Sequence, residues 1–451
     1  VTRITEKGVT GGSEVPGEAR RGKKEGDRRM KVGKSVLLLL VMVLLLGLVS
    51  LAGSAAKVTL RMGTWQADDP AFGPFYKEAI AAFEKENPEI EIVLEHSPSA
   101  AYWDKLLTQI ATKNAPDIMK FAGYNFHEYV AMGALEPLDE YLAKTDILKR
   151  WYPVQKTFPV VNGKTYAVIL MQRGTAVYYN KRMLQEAGLQ VPKDLKEFVE
   201  AARKLTKRQG GEIVQYGLGL RTDPKHQDVN EYTLLFVLAH GAHWTDNGKW
   251  KLTDPKVVKA VQYVKDLYDA GVSPLSAQPN LLRELFWQEK LAMHIDGPWY
   301  WAQIEKGNPG MVKDVGTFLL PAAAGGSAVS TGGPMNLIGV SRNAKHKEEA
   351  WKFIAFISRP EWQNKFTDYS FNTGGMKGSV TPQFLKTNPW FSTFADAVDV
   401  AKQIPPPGFE TRYTPFRKAV NSALGEIFIL NRPVRESLKV VQDQMEQLAN
   451  R

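Results

Sequence analysis

The chain contains no cysteine. That absence excludes disulfide bonds, thiolate metal sites, cysteine nucleophiles and a lipidated cysteine anchor. No G-x-S-x-G segment is present, so the nucleophile elbow of the α/β-hydrolases is missing. Gly217-x-Gly219 lacks the third glycine of a dinucleotide-binding turn. His240-x-x-His243 and His294-x-Asp296 have no third ligand nearby and make a poor metal signal. After residue 56 there is no internal repeat, no low-complexity segment and no apolar run approaching 18 residues.

What remains is an ordinary globular composition with 44% hydrophobic and 24% charged residues over 451 positions. That length suits two or three domains with a sizeable core. The net charge is +10, but residues 1–34 carry ten Lys/Arg against five Asp/Glu, half of the excess. The surplus left for the rest of the chain is mild, which argues against nucleic acid as a partner.

From Met30 the pattern is that of a secretory signal peptide. Lys31 and Lys34 form a positive n-region, Val36–Val49 is an apolar stretch rich in leucine, and the small residues Ser54 and Ala56 suit cleavage after Ala56. The alternative is an uncleaved anchor, because 17 residues from Val36 to Ala52 are the short end of a membrane span. Residues 1–29 read as a disordered tail or a mis-called start, and 30–56 as the signal peptide.

The remainder alternates strand and helix. Val58, Leu60 and Met62 alternate as a strand ending at Gly63-Thr64-Trp65. Asp69-Pro70 predicts a helix start, with Phe72, Phe75, Tyr76, Ala79, Ile80 and Phe83 at helical spacing. Asn87-Pro88 ends it, and Ile90, Ile92 and Leu94 form the next strand, completing a βαβ unit. Further strands are expected at 116–119, 176–180, 291–295, 315–320 and 337–340. Further helices are expected around Phe198, Val261 and Ile354. Ala322–Pro334 and Phe371–Gly375 are glycine-rich loops suited to crossing between lobes.

Several segments, in order, resemble the extracellular solute-binding proteins of carbohydrate ABC importers, the family that includes the maltose/maltodextrin-binding protein. They are Pro116-Asp117-Ile118 with Gly133-Ala134-Leu135-Glu136-Pro137-Leu138-Asp139, then Asn162–Val168, Tyr178-Tyr179-Asn180-Lys181 and Glu186-Ala187-Gly188-Leu189. Lys290–Met293, Asp296-Gly297-Pro298-Trp299-Tyr300-Trp301, Gly332-Gly333-Pro334 and Glu349–Ile354 follow. The family often has Thr-Trp after Pro192; Asp194-Leu195 stands there instead. The resemblance covers about residues 57–451.

It implies an α/β chain with the two-lobe periplasmic-binding-protein fold (type II) and a ligand cleft between lobes joined by hinge crossings. The crossings are expected near 168–173, 325–333 and 371–376. Lobe I would be 57–170 with 330–372, and lobe II 171–329 with 373–451. It further implies a monomer that binds a carbohydrate, closes, and delivers it to ABC permease subunits outside the cytoplasmic membrane, with no catalytic group, metal or cofactor.

A sugar ring offers an apolar CH face and an equator of hydroxyls, so its site needs flat rings and fixed donors and acceptors. Trp65, with Asp68 and Asp69, follows the first strand, where open α/β sheets bind ligands; for Asp69 a helix cap is the competing reading. By resemblance, the loop holding Tyr124 and Asn125 supplies lobe I contacts. Trp299 resembles a sugar-stacking tryptophan, with Asp296 and Trp301 beside it and core packing as the competing role. Tyr413 resembles a second stacking ring, with Arg412 next to it. Gln172 and Arg173 lie at the first crossing, Gly332 and Gly333 at the second. Glu231, flanked by Asn230 and Tyr232, begins a lobe II helix. Alternatives are a receptor for another solute, such as glycerol phosphate or a peptide, for which Arg173 and Arg412 speak, a surface adhesion protein, and a secreted glycosidase, which needs two carboxylates flanking one bond.

Overall fold

The computed structural model describes residues 57–449 except 153–155, 227–228, 324, 405 and 407. The expected tail and signal peptide lie outside the described residues. Among those described, no helix is long and apolar enough to cross a membrane.

Alternating hydrophobics build the first sheet. Strand β1 (Val58–Thr64) pairs in parallel with β2 (Ile90–His96) and with β3 (Ile118–Ala122). The helix Gly73–Glu86 connects β1 to β2 and buries Phe75, Tyr76, Ala79, Ile80 and Phe83, the face that helical spacing predicts. The Phe and Ile side chains among them each contribute about 1.5–3 kcal/mol on burial. The helix starts later than Asp69-Pro70 implies. Its N-terminal proline is Pro74, and Asp69 instead closes a turn by accepting the Ala71 amide at 2.8 Å.

Four strands from farther along the chain complete this sheet. β4 (Val168–Gly174) and the long strand Ser330–Val340 are antiparallel neighbours, and the long strand also pairs with β3. Thr373–Gly374 adds to the outer edge of β4, and Ala401–Gln403 lies parallel to Ser330–Gly332. The long strand begins well before the expected 337. Gly332 and Pro334 are ladder residues, because the backbones approach so closely that a β-carbon at Gly332 would lie 1.8 Å from the Arg173 carbonyl oxygen.

The second sheet begins one residue after the first sheet's β4 ends. β5 (Ala176–Asn180) follows Thr175 and is flanked by Leu291–Asp296 and Val315–Phe318, both antiparallel to it. Glu212–Gly219 pairs in parallel with Leu291–Asp296, and Lys207–Gln209 closes the edge. Buried clusters cover both faces of each sheet, which makes two α/β lobes. The expected boundary after residue 170 therefore cuts a strand, since Met171–Gly174 still pair within the first sheet, as do Thr373 and Gly374.

Where the chain steps between sheets, Thr175 and Ser330 clasp each other. The Thr175 amide donates to Ser330 Oγ at 2.9 Å, and that hydroxyl donates back to the Thr175 carbonyl at 3.0 Å. The helix Ser392–Val400 presses on the same point: a β-carbon at Gly174 would lie 2.5 Å from Ala397 Cβ. Gly174→Ala is accordingly expected to cost about 1–3 kcal/mol in urea unfolding, as overpacking does. Adding Ala397→Gly should recover part of that loss; full additivity of the two changes would show that the contact does not limit the hinge.

Candidate ligand-binding site

The first sheet delivers an aromatic wall. Trp65, half-buried at the end of β1, meets Trp103 with ring centroids 4.8 Å apart, and Trp103 meets Tyr124 edge-on at 6.1 Å. Trp103 comes from the helix Ser99–Ala111 and Tyr124 from the turn after β3. Tyr124 also packs against the core of the second sheet, where the Arg417 guanidinium stands 4.9 Å from its ring centroid. Asn125 is buried beside it, and its Oδ1 has no hydrogen-bond partner among the described residues.

The crossing supplies the next group. Arg173 pairs with Gly333 across the ladder, and its Nη2 forms an ion pair with Glu231 Oε2, both side chains being buried. Glu231 lies in the helix Val229–Ala239, every residue of which is buried. Beside it, Asn230 Nδ2 donates to the Tyr413 hydroxyl at 2.9 Å. Gln172 is buried with neither end of its side-chain amide hydrogen-bonded among the described residues.

The second sheet contributes through one carboxylate. Asp296 ends the strand Leu291–Asp296 with no exposure at all. Arg283 grips it with Nε–Oδ2 at 2.7 Å and Nη2–Oδ1 at 3.2 Å. Arg221 Nη2 and His294 Nε2 each reach Oδ2 at 3.0 Å, and the Gly297 amide donates to Oδ1 at 2.8 Å. Burial alone would raise the Asp296 pKa, but Arg283, Arg221 and the His294 bond outweigh it and hold the carboxyl well below its usual range. Burial lowers the His294 pKa, only partly offset by Asp296, so the imidazole is held neutral. Arg221 also covers the Tyr232 ring at 3.6 Å. Trp299, half-buried, folds back over Gly297 so closely that a β-carbon there would lie 2.1 Å from its ring.

Trp65, Trp103 and Tyr124 form one contiguous group, Arg173, Gly333 and Glu231 a second, and Asp296 with the turn carrying Trp299 a third that Arg221 ties to Tyr232; with Asn125, Gln172 and Gly332 they make up the candidate neighbourhood. Six of the expected contacts need correction. Asp296 has both oxygens occupied and is enclosed, so it anchors the site instead of accepting from a guest. Tyr413 is interior, and burial raises its pKa; it positions Asn230. Trp301 stacks on Trp390 at 4.1 Å with 7° between planes, and its Nε1 donates to Glu305. Arg412 faces a separate cavity of about 580 Å³ with Trp250, Lys251 and Gln442. Asp68 is exposed and pairs with His96 at 2.9 Å. Asp69 is exposed and spent on its turn.

Sequence reasoning missed Trp103, Lys120, Arg221 and Arg417. Lys120 did carry a signal, a cation inside an otherwise apolar strand, and Arg221 follows the C-terminal end of a strand, where ligands collect.

Asp296→Asn would leave two buried arginines without their counter-charge, at a cost of about 3–5 kcal/mol in urea unfolding at neutral pH. Because the folded-state pKa is depressed, the stabilisation is present above the unfolded value and is lost as pH falls through the folded one. The gap between wild type and variant should therefore narrow in acid; a gap independent of pH would assign the loss to packing alone.

Comparison with known proteins agrees with this architecture. The family model for bacterial extracellular solute-binding proteins matches residues 67–364. A Brucella abortus (strain 2308) chain, named only as a binding protein, is 30% identical over 330 residues, 71% of this chain and 77% of its own. The melibiose/raffinose/stachyose-binding protein MelE of Bacillus subtilis (strain 168) is 26% identical over 326 residues, 68% of this chain and 72% of its own. Among solved structures, maltose-bound MalE3 of T. maritima is similar in fold with a TM-score of 0.77 at 20% identity, covering 87% of this chain and 100% of that one. The chain belongs to the family of bacterial extracellular solute-binding proteins.

Proposed function

We propose that this protein captures a sugar, most readily an oligosaccharide, between its two lobes and presents it to a membrane ABC importer. The observation that carries the reading is the spread of half-buried rings over both sheets, Trp65, Trp103 and Tyr124 on one and Trp299 on the other. Such rings suit the apolar faces of successive sugar units. The amides of Asn125, Gln172 and Asn230 supply buried polar atoms without protein partners among the described residues, and buried polar groups call for a hydrogen-bonding partner. MelE, a relative named for melibiose, raffinose and stachyose, supports the same class of ligand.

An anionic solute has less in its favour. Arg173 is engaged by Glu231 and Arg221 by Asp296, and Arg412 lines a different cavity. We assign no chemical step to the protein: Asp296 and Glu231, the carboxylates within the neighbourhood, are both held in ion pairs.

On this reading the lobes are 57–174 with 330–379 and the strand 401–403, and 176–329 with the rest of 380–449, and a guest touching both favours the closed form by its differential affinity. Delivery outside the cytoplasmic membrane follows from the family, with 30–56 as the export signal.

The test is a melting-temperature screen against mono- and oligosaccharides, phosphorylated sugars and peptides. A ligand at 100 times its Kd should add about 2.7 kcal/mol. A shift with a phosphorylated compound or peptide and none with any sugar would overturn the assignment, as would turnover of a panel member. Trp299→Ala should abolish the sugar-induced shift and leave the unliganded melt nearly unchanged. Gly297→Ala should weaken binding similarly by driving the Trp299 ring from its seat.

A further inference from the structure

Strand β3 runs Ile118-Met119-Lys120-Phe121-Ala122 with every residue buried. Lys120 has no exposed surface. Among the described residues no carboxylate lies within ion-pair distance of it; Asp69 acts on it only through its field, and burial drives the ammonium pKa well below its ordinary value. Its Nζ donates to Gln66 Oε1 and stands 4.7 Å from the Trp65 ring centroid and 4.3 Å from that of Tyr76. Its own carbonyl accepts the Tyr102 hydroxyl at 2.9 Å, a hydroxyl that also reaches the Gly63 carbonyl at 3.2 Å. The lysine is thus locked between β1 and the helix carrying Trp103.

A buried ammonium without a counter-ion loses its hydration and regains only part of it from two ring faces and one amide. Methionine, flexible and close in length, would fill the same space without that cost. Packing alone therefore does not account for a lysine here. Its contacts do something more specific: they hold the two residues that follow β1, Trp65 and Gln66, at the edge of the binding neighbourhood.

We propose that Lys120 is a positioning residue of the ligand site, pinning the Trp65 ring from within so that it meets the guest already oriented. The inference rests on Trp65 being a ligand platform, as proposed above. It predicts opposite effects on stability and binding, which an ordinary core residue would not give.

The experiment uses the full chain labelled with 5-fluorotryptophan, whose eleven tryptophans give fluorine signals, with Trp65→Phe identifying that of Trp65. In Lys120→Met the Trp65 signal should shift or broaden, the signals of Trp299, Trp301 and Trp390 should stay in place, and the unliganded melting temperature should hold or rise. Affinity for whichever sugar protects the wild type should fall about tenfold, the equivalent of one cation–π contact with a desolvated partner. Lys120→Arg, which keeps a cation between the rings, should recover part of the affinity and return the Trp65 signal toward its wild-type position. An unmoved Trp65 signal in Lys120→Met would overturn the proposal. So would a steep fall in melting temperature with unchanged affinity, which would make Lys120 a core residue only. The fluorine measurement needs no ligand, so it decides the pinning of Trp65 even if the sugar reading fails; a moved signal with no sugar binding at all would sink the reading and spare the contact.

Discussion

The turn that carries Trp299 is held by one buried carboxylate, Asp296. Asp296 sits at the end of its strand with four hydrogen bonds from Arg283, His294 and the Gly297 amide and an ion pair with Arg221. An isolated carboxylate there would protonate to escape the apolar surroundings. With Arg283 and Arg221 in place it stays charged, and each arginine is in turn fixed by it. Arg221 then covers Tyr232, next to Glu231, and the backbone amide taken from Gly297 sets the turn that carries Trp299. Remove the charge and the ring, the turn and the neighbouring helix lose their common anchor.

The same economy appears around the crossing. Arg173 and Glu231 cancel each other inside the protein, and Thr175 with Ser330 closes its own hydrogen-bonding circle. The charges of Arg173 and Glu231 are therefore settled within the chain, and the buried polar atoms left without partners among the described residues include the amides of Asn125, Gln172 and Asn230. For the proposed sugar ligand this matters, because a hydroxylated neutral guest would gain little from a bare cation and would leave it poorly solvated once the lobes close.

Much of the fold was legible because it rests on periodicity. The alternation Val58-Leu60-Met62 and the spacing from Phe75 to Phe83 locate a strand and a helix whatever surrounds them. The misreadings arose where a local rule met a competing one. Asp69-Pro70 is a good helix start, but Gly73-Pro74 is as good and lies nearer the buried face. Gly332-Gly333-Pro334 looks like a linker until the approach of β4 shows that no side chain fits at Gly332. In the site, residue type predicted neighbourhood better than role. The polar atoms of Asp296, Tyr413 and Trp301, each expected at the ligand, are spent on Arg283, Asn230 and Glu305. Such pairings join residues 13, 183 or only 4 positions apart, and no spacing in one sequence reveals which partner wins.

The first sheet has an order of assembly built into its pairing. β3 has β1 on one side, but its other neighbour is the strand that begins at Ser330, and β4 needs that strand too. A chain emerging from its N-terminal end thus makes β1, β2 and β3 long before the strand that must lie against β3 exists. Closing loops of that size is slow. Until the later strand arrives, the first sheet is incomplete and β3 has an open edge, so a chain passed N-terminus first through a narrow channel would carry no finished first sheet into it.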